Sequence, residues 1–215
     1  LTMPVWGLKK ILTEARQHPA WTDTVPEGRG RGFAAAYWGG ATLTSNAEIV
    51  ANSDATFSVI TGSVDLTGTR TTMAQIAAEE LGVEMEQIII GIGDTDSVGH
   101  TDGSFGSRTT LTTGTAVMNA ARDVIGKLKE KAGEFLRVEP QYIDYADQVF
   151  EMRDNPDKRI TLVEVCERSI GEAIGTIHGA GNSTGLPGAP TAAASIAEVE
   201  VDHETGRPEI KRFTM

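Results

Sequence analysis

The stretch Ala55-Thr56-Phe57-Ser58-Val59-Ile60-Thr61-Gly62-Ser63-Val64-Asp65-Leu66-Thr67-Gly68-Thr69-Arg70-Thr71-Thr72 sets the architecture. Up to Thr61 it has the β-branched and aromatic content of a strand. From Thr69 onward Met73, Ile76, Ala77 and Leu81 recur at helical spacing, with Thr67 or Thr69 as N-cap and Gly82 as the stop. A glycine-rich loop between strand and helix ends on helix N–H groups that the sequence leaves free. There the helix dipole favours negative charge.

The same plan recurs downstream. Residues 87–92 form a short apolar strand, 94–107 are irregular, and a long amphipathic helix starts near Arg108. That helix carries Leu111, Val117, Ala121, Val124, Leu128, Ala132 and Phe135 on one face, with Arg122, Lys127, Lys131 and Glu134 largely outside it. Gly91, Gly93, Gly99, Gly103 and Gly106 permit close backbone approach or positive φ. Ser104, Ser107, Thr109 and Thr110 add hydroxyls, and Arg108 adds a fork suited to phosphate. One glycine-rich loop reads as a flexible turn; two of one design, 62–72 and 91–108, read as one site gripping a large anion.

Outward from these loops, residues 5–17 read as a helix with Leu8, Ile11, Leu12 and Ala15 on one face, and 22–31 as a polar linker. Strands are expected at 32–38, 48–52 and 55–61, the last two joined at Asn52-Ser53-Asp54. Residues 138–152 alternate polar and apolar side chains, and 153–159 read as a charged turn around Asn155-Pro156-Asp157. A helix at 161–170, a strand at 172–177, a loop at 179–190 and a closing hairpin turning at 203–206 complete the pattern. Helices and strands mix without a strict βαβα rhythm, so the fold class is α+β, mixed sheets with packed helices.

Composition narrows the function. The 215 residues carry 30 Asp and Glu against 19 Lys and Arg, a formal charge of −11, which disfavours nucleic acid or an anionic membrane as partner. An anion site must therefore be a local exception. No apolar run approaches the ~20 residues of a membrane span, and the start lacks a signal peptide's regions. Cys166 is the single cysteine, so no internal disulfide framework exists and a cytoplasmic protein is expected. Within a helical pattern it reads as a buried structural thiol. Leu1 is not an initiator methionine and Met215 falls as a strand is running, which leads us to expect a segment of a longer polypeptide.

Several sharper patterns fail on context. Gly181-Asn182-Ser183-Thr184-Gly185 matches a nucleophile elbow, but Pro187, Gly188 and Pro190 follow where that elbow needs a helix. Gly126-Lys127 is followed by Leu128 inside a helix, not by Ser or Thr as in a phosphate loop. Gly28-Arg29-Gly30-Arg31-Gly32 lacks dinucleotide-fingerprint spacing. His18, His100, His178 and His203 are scattered without metal-ligand spacing; His100 is expected in solvent, and Asp94 and Asp96 as turn caps beside Asp102.

The residues from Gly62 through Val83, and above all Asp94-Thr95-Asp96-Ser97-Val98-Gly99-His100-Thr101-Asp102-Gly103-Ser104-Phe105-Gly106-Ser107-Arg108, resemble the molybdopterin-binding subunit of the xanthine dehydrogenase/aldehyde oxidase family. Gly28-Arg29-Gly30-Arg31-Gly32 and Ala197-Glu198-Val199-Glu200-Val201-Asp202 support the resemblance. It implies that residues 1–27 are a helix and linker and 28–215 the second cofactor domain, whose two loops hold the pterin and its phosphate or pyrophosphate tail. Carried over by position, Thr67, Gly68, Thr69 and Arg70 meet the ligand from one loop, and Ser104, Gly106, Ser107 and Arg108 from the other. The pterin holds molybdenum, so no protein metal ligand is expected. Many members have Gly-Gln-Gly where this chain has Thr67-Gly68-Thr69, so an amide that would reach the cofactor is missing.

The family's general base is a glutamate of a Gly-Glu pair beyond the last position here, so the segment alone is expected to be inactive and to contain no catalytic residue. The resemblance further implies a molybdenum-dependent hydroxylase acting on a heteroaromatic or aldehyde carbon. It also implies partner subunits or domains carrying iron–sulfur clusters and FAD, and a cofactor with or without a nucleotide. A different class of reading takes the same loops as a non-catalytic module binding a phosphorylated metabolite or a partner protein; a third takes the chain as a structural domain that has lost its cofactor.

Overall fold

The computed structural model describes residues 6–93, 97–172 and 174–215. In chain order come α1 (Trp6–Gln17), α2 (Pro19–Thr22), β1 (Arg29–Trp38), β2 (Ser45–Ala51), β3 (Phe57–Thr61), α3 (Thr69–Leu81) and β4 (Ile88–Ile92). The long α4 (Thr109–Leu136) leads to β5 (Ile143–Ala146), β6 (Val149–Met152), β7 (Asn155–Thr161) and α5 (Leu162–Gly171). The remaining strands are β8 (Ile177–Ser183), β9 (Thr191–Val201) and β10 (Pro208–Thr214). Three separate sheets and interspersed helices make this an α+β fold. The chain divides between Gly40 and Ala41 and again between Pro187 and Gly188 into two compact units.

The first unit is built on the antiparallel sheet β1-β9-β10. Its register places Arg29 opposite Glu200 and Arg31 opposite Glu198, so opposite charges share a face. Glu198 is buried and pairs with both arginines, at 3.2 Å from Arg29 and 3.3 Å from Arg31. Arg31 also donates to the carbonyls of Trp21 (2.6 Å) and Asp23 (2.8 Å). These contacts extend order into the segment expected to be linker: β1 starts at Arg29 rather than at position 32.

The second unit is built on the sheet β4-β3-β2-β8, with β3 and β4 parallel and the other pairs antiparallel. Ile49, Phe57, Val59, Leu81, Val117, Val124 and Leu128 are wholly buried between this sheet and its helices. The strand expected at 172–177 is corrected and the loop expected at 179–190 shortened to 184–190: α5 runs to Gly171 and β8 occupies Ile177–Ser183. Gly179 and Gly181 resemble turn residues in the sequence but serve close packing. A Cβ at Gly179 would lie 2.6 Å from the carbonyl of Ala120, and one at Gly181 2.2 Å from that of Ala116, both on α4.

The third sheet, β5-β6-β7, corrects the charged turn expected at 153–159. The chain turns at Arg153-Asp154 and Asn155–Thr161 is a strand. Pro156 is tolerated because β7 is an edge strand, where a missing N–H breaks no ladder on its open side. β5 and β6 form a hairpin over the left-handed residues Asp147 and Gln148, as two-residue turns require. Thr161 caps α5 reciprocally with Glu164.

Candidate functional site

Because β3 and β4 run parallel with Thr61 opposite Ile92, the loops that follow them leave the same edge of the sheet. Ligands of such sheets bind outside the carboxyl ends of the strands. The two loops meet there. A Cβ on Gly62 would lie 2.6 Å from Cβ of Thr101, and one on Gly93 3.2 Å from the carbonyl oxygen of Gly62, so glycine is what permits the approach. A third segment, 41–45, enters β2 at this edge and was not singled out in the sequence. Thr44 and Asp102 bind each other reciprocally: Thr44 N donates to Asp102 Oδ2 at 2.9 Å and Asp102 N to the Thr44 carbonyl at 3.0 Å.

Each loop enters its helix through two successive left-handed residues. Thr67 (φ 56°) and Gly68 (φ 89°) precede α3, and Gly106 (φ 65°) and Ser107 (φ 59°) precede α4. For Thr67, β-branched, this conformation costs about 1–2 kcal/mol. Such strain gathers at ligand clamps, and left-handed steps before a helix turn successive N–H groups into a concave anion seat.

The two helix ends differ in what already occupies them. At α3, Asp65 Oδ1 accepts from Arg70 N (3.1 Å) and from the Thr69 hydroxyl (3.2 Å). The Arg70 N–H bond is the main reason the Asp65 carboxyl lies below its usual pKa. The free helix end expected in the first loop is thus partly capped by the chain's own carboxylate, with Arg70 exposed beside it. At α4 the N-cap residue Arg108 makes no side-chain cap bond, and the first turn contains no acidic residue. This leaves α4 as the stronger anion seat.

Arg108 corrects the expectation of a fork offered to phosphate. Its side chain is 0% exposed. One guanidinium nitrogen donates to the carbonyls of Asp102 (2.6 Å) and Gly103 (3.1 Å), the other to those of Leu43 (3.1 Å) and Thr44 (2.6 Å) and to Ser45 Oγ (2.5 Å). Burial pulls its pKa down, opposed by the nearby Asp102 charge. It braces the loop from inside. Ser107 is exposed, Gly106 is held by Ala41 N on its carbonyl at 2.8 Å, and Ser104 Oγ is buried with no partner among the described residues.

The remaining sequence candidates take ordinary places. Ser183, of the elbow-like pattern, is buried at the end of β8 and accepts from Ser45 N at 3.2 Å; no helix follows it. His100 is exposed and 3.3 Å from Asp102, while Asp94 and Asp96 lie outside the described residues. Burial pushes the Cys166 thiol up to about 11, as an inert core thiol requires. The left-handed entries into α3 and α4, the uncapped start of α4, the exposed hydroxyls of Thr67 and Ser107 and the exposed Arg70 are donors of the kind that suit a phosphate such as that of a pterin cofactor.

Residues 8–215 match the family described as molybdopterin cofactor-binding domain. The carbon monoxide dehydrogenase large chain of Hydrogenophaga pseudoflava is 27% identical over 150 residues, 68% of this chain and 19% of that protein. The 6-hydroxypseudooxynicotine dehydrogenase complex subunit gamma of Paenarthrobacter nicotinovorans is 30% identical over 157 residues, again 68% of this chain and 19% of the relative. The chain thus spans about a fifth of the length of these curated relatives. The structure of reconstituted CO dehydrogenase from Oligotropha carboxidovorans shares the fold, with a TM-score of 0.73 at 23% identity over 97% of this chain and 28% of that one. Taken with the two glycine loops and their helix ends, the match over nearly the whole length shows that this chain belongs to the molybdopterin cofactor-binding domain family.

Proposed function

We propose that the protein containing this chain is the large subunit of a molybdenum hydroxylase, and that residues 28–215 hold the anionic tail of its molybdenum cofactor. The carrying observation is the paired left-handed entry into α3 and α4 at the carboxyl ends of two parallel strands. Thr67, Gly68, Thr69 and Arg70 face the cofactor from the first loop; Ser104, Gly106 and Ser107 face it from the second, with Arg108 behind them. When bound, the cofactor supplies the redox chemistry of hydroxylating a heteroaromatic or aldehyde carbon with oxygen from water, and this chain's residues orient and enclose it. A pyrophosphate, as in a dinucleotide form, would use both helix ends. Iron–sulfur and FAD groups on partner subunits or domains carry the electrons away. A cytoplasmic location is in keeping with the single buried thiol and with the absence, among the described residues, of any helix long and apolar enough to cross a membrane.

The test is the molybdenum and pterin content of the full-length subunit purified from its own host. We expect about one of each per subunit, as for any enzyme whose cofactor carries the chemistry. A folded, intact subunit containing neither would replace this reading with that of a non-catalytic anion-binding module.

A further inference from the structure

We propose that Arg108 is a positioning residue for both loops, acting on the second directly and on the first through a buried chain of hydroxyls. The inference rests on the reading above for the identity of the anion, not for how the loops are held. The observations are all internal to the second unit. Arg108 is the largest wholly buried side chain among the described residues. Its guanidinium satisfies four carbonyls, two on each of the segments 43–44 and 102–103, which would otherwise be costly to bury. Segment 41–45 in turn holds Gly106, through Ala41 N on its carbonyl, and a Cβ at Gly106 would lie 2.6 Å from Cβ of Ala41. The left-handed step into α4 is therefore fixed by the segment leading into β2, which Arg108 grips.

The connection to the first loop runs through Ser45. Arg108 donates to Ser45 Oγ, which lies 2.9 Å from Thr113 Oγ1, itself 2.6 Å from Ser63 Oγ. Ser45, Thr113 and Ser63 are all buried. A guanidinium donates and cannot accept, so Ser45 Oγ is an acceptor at the Arg108 end. Ser45 Oγ receives from Arg108 and is hydrogen-bonded to the Thr113 hydroxyl, which is hydrogen-bonded in turn to that of Ser63 in the first loop, next to Gly62. One buried charge is thereby linked by hydrogen bonds to hydroxyls on three segments, 45, 63 and 113.

Amide hydrogen exchange on the full-length, cofactor-free subunit tests this, with Arg108→Met, Arg108→Lys and Thr113→Val beside the wild type. Arg108→Met should raise exchange about tenfold or more at residues 101–107 and 62–66, since each lost bond to a buried charge is large on that scale. Thr113→Val should raise it at 62–66 alone, and Arg108→Lys should fall between wild type and Arg108→Met. If Arg108→Met leaves both loops at wild-type protection yet lowers pterin content, Arg108 is a ligand and the proposal fails. If only 101–107 loosens, or Thr113→Val leaves 62–66 unchanged, the hydroxyl chain transmits nothing and the proposal fails for the first loop. Should Arg108→Met not fold, Arg108→Lys and Thr113→Val decide in the same way. Because exchange is read without cofactor, a wild-type subunit lacking pterin would sink the hydroxylase reading and leave this one standing.

Discussion

At the scale of single residues, the two loops exchange the roles their charges suggest. Arg108 is a strong phosphate ligand on paper, yet its guanidinium is wholly enclosed and bound to carbonyls. Asp65 is an unlikely member of an anion site, yet it caps the first turn of α3. The sequence singled out these loops because glycines and hydroxyls cluster there; it did not show which way the Arg108 side chain turns, since that depends on segment 41–45, distant in the chain. Asp65 has a consequence for pH. Its carboxyl is held below the ordinary value chiefly by the Arg70 N–H bond. A carboxylate with a depressed folded pKa contributes stability above its unfolded pKa, about 3.9, and loses it as pH falls through the lower folded value. Protection of amides 66–72 in the full-length subunit should accordingly be constant near neutrality and decline below about pH 4. Asp65→Asn should flatten that decline, and a variant that keeps the wild-type pH profile would show that another group is titrating.

At the scale of elements, legibility followed whether a residue's reason was local. α3 and α5 were readable because spacing and stop lie within or beside each helix: Gly82 is left-handed at the end of α3, although the N-cap expected at Thr67 or Thr69 is Gly68, with no side-chain cap bond. β8 was not, because Gly179 and Gly181 are explained only by α4, more than fifty positions away in the chain. The sequence patterns around Arg29 and Glu198 read as separate similarities, and the fold joins them as adjacent strands with their charges in register. The packing of α4 on β8 yields a direct prediction. In Gly181→Ala the new methyl would sit 2.2 Å from the Ala116 carbonyl and 2.3 Å from Ala120 N, and backbone cannot swing aside as a side chain can. The expected cost is about 3 kcal/mol, at the upper end of overpacking. It should appear as faster exchange in 116–124 and 177–183 and a lowered melting temperature of the full-length subunit. Unchanged exchange there would mean that α4 and β8 separate at little cost.

At the scale of the molecule, the acidic balance is compatible with the proposed anion site because that site would draw on backbone N–H groups at helix ends and on Arg70, not on net charge. The same economy of charge governs the first unit, where Glu198 is 6% exposed and faces both Arg29 and Arg31. Removing one partner of a buried pair leaves the other desolvated, at a cost of about 3–5 kcal/mol. Arg31 would keep its bonds to the carbonyls of Trp21 and Asp23, so the lower end of that range applies to it. Glu198→Ala should therefore loosen β1, β9 and β10, read as faster amide exchange over 29–38, 191–201 and 208–214. Glu198→Gln, which keeps one acceptor oxygen for a single arginine and loses the charge, should lose less than Glu198→Ala. Each unit has its own hydrogen-bonded sheet, so β2, β3 and β8 should keep wild-type rates. A uniform rise across all six strands would instead mean that the two units unfold in one event, and that a charge pair in one contributes to the stability of the glycine-rich loops in the other.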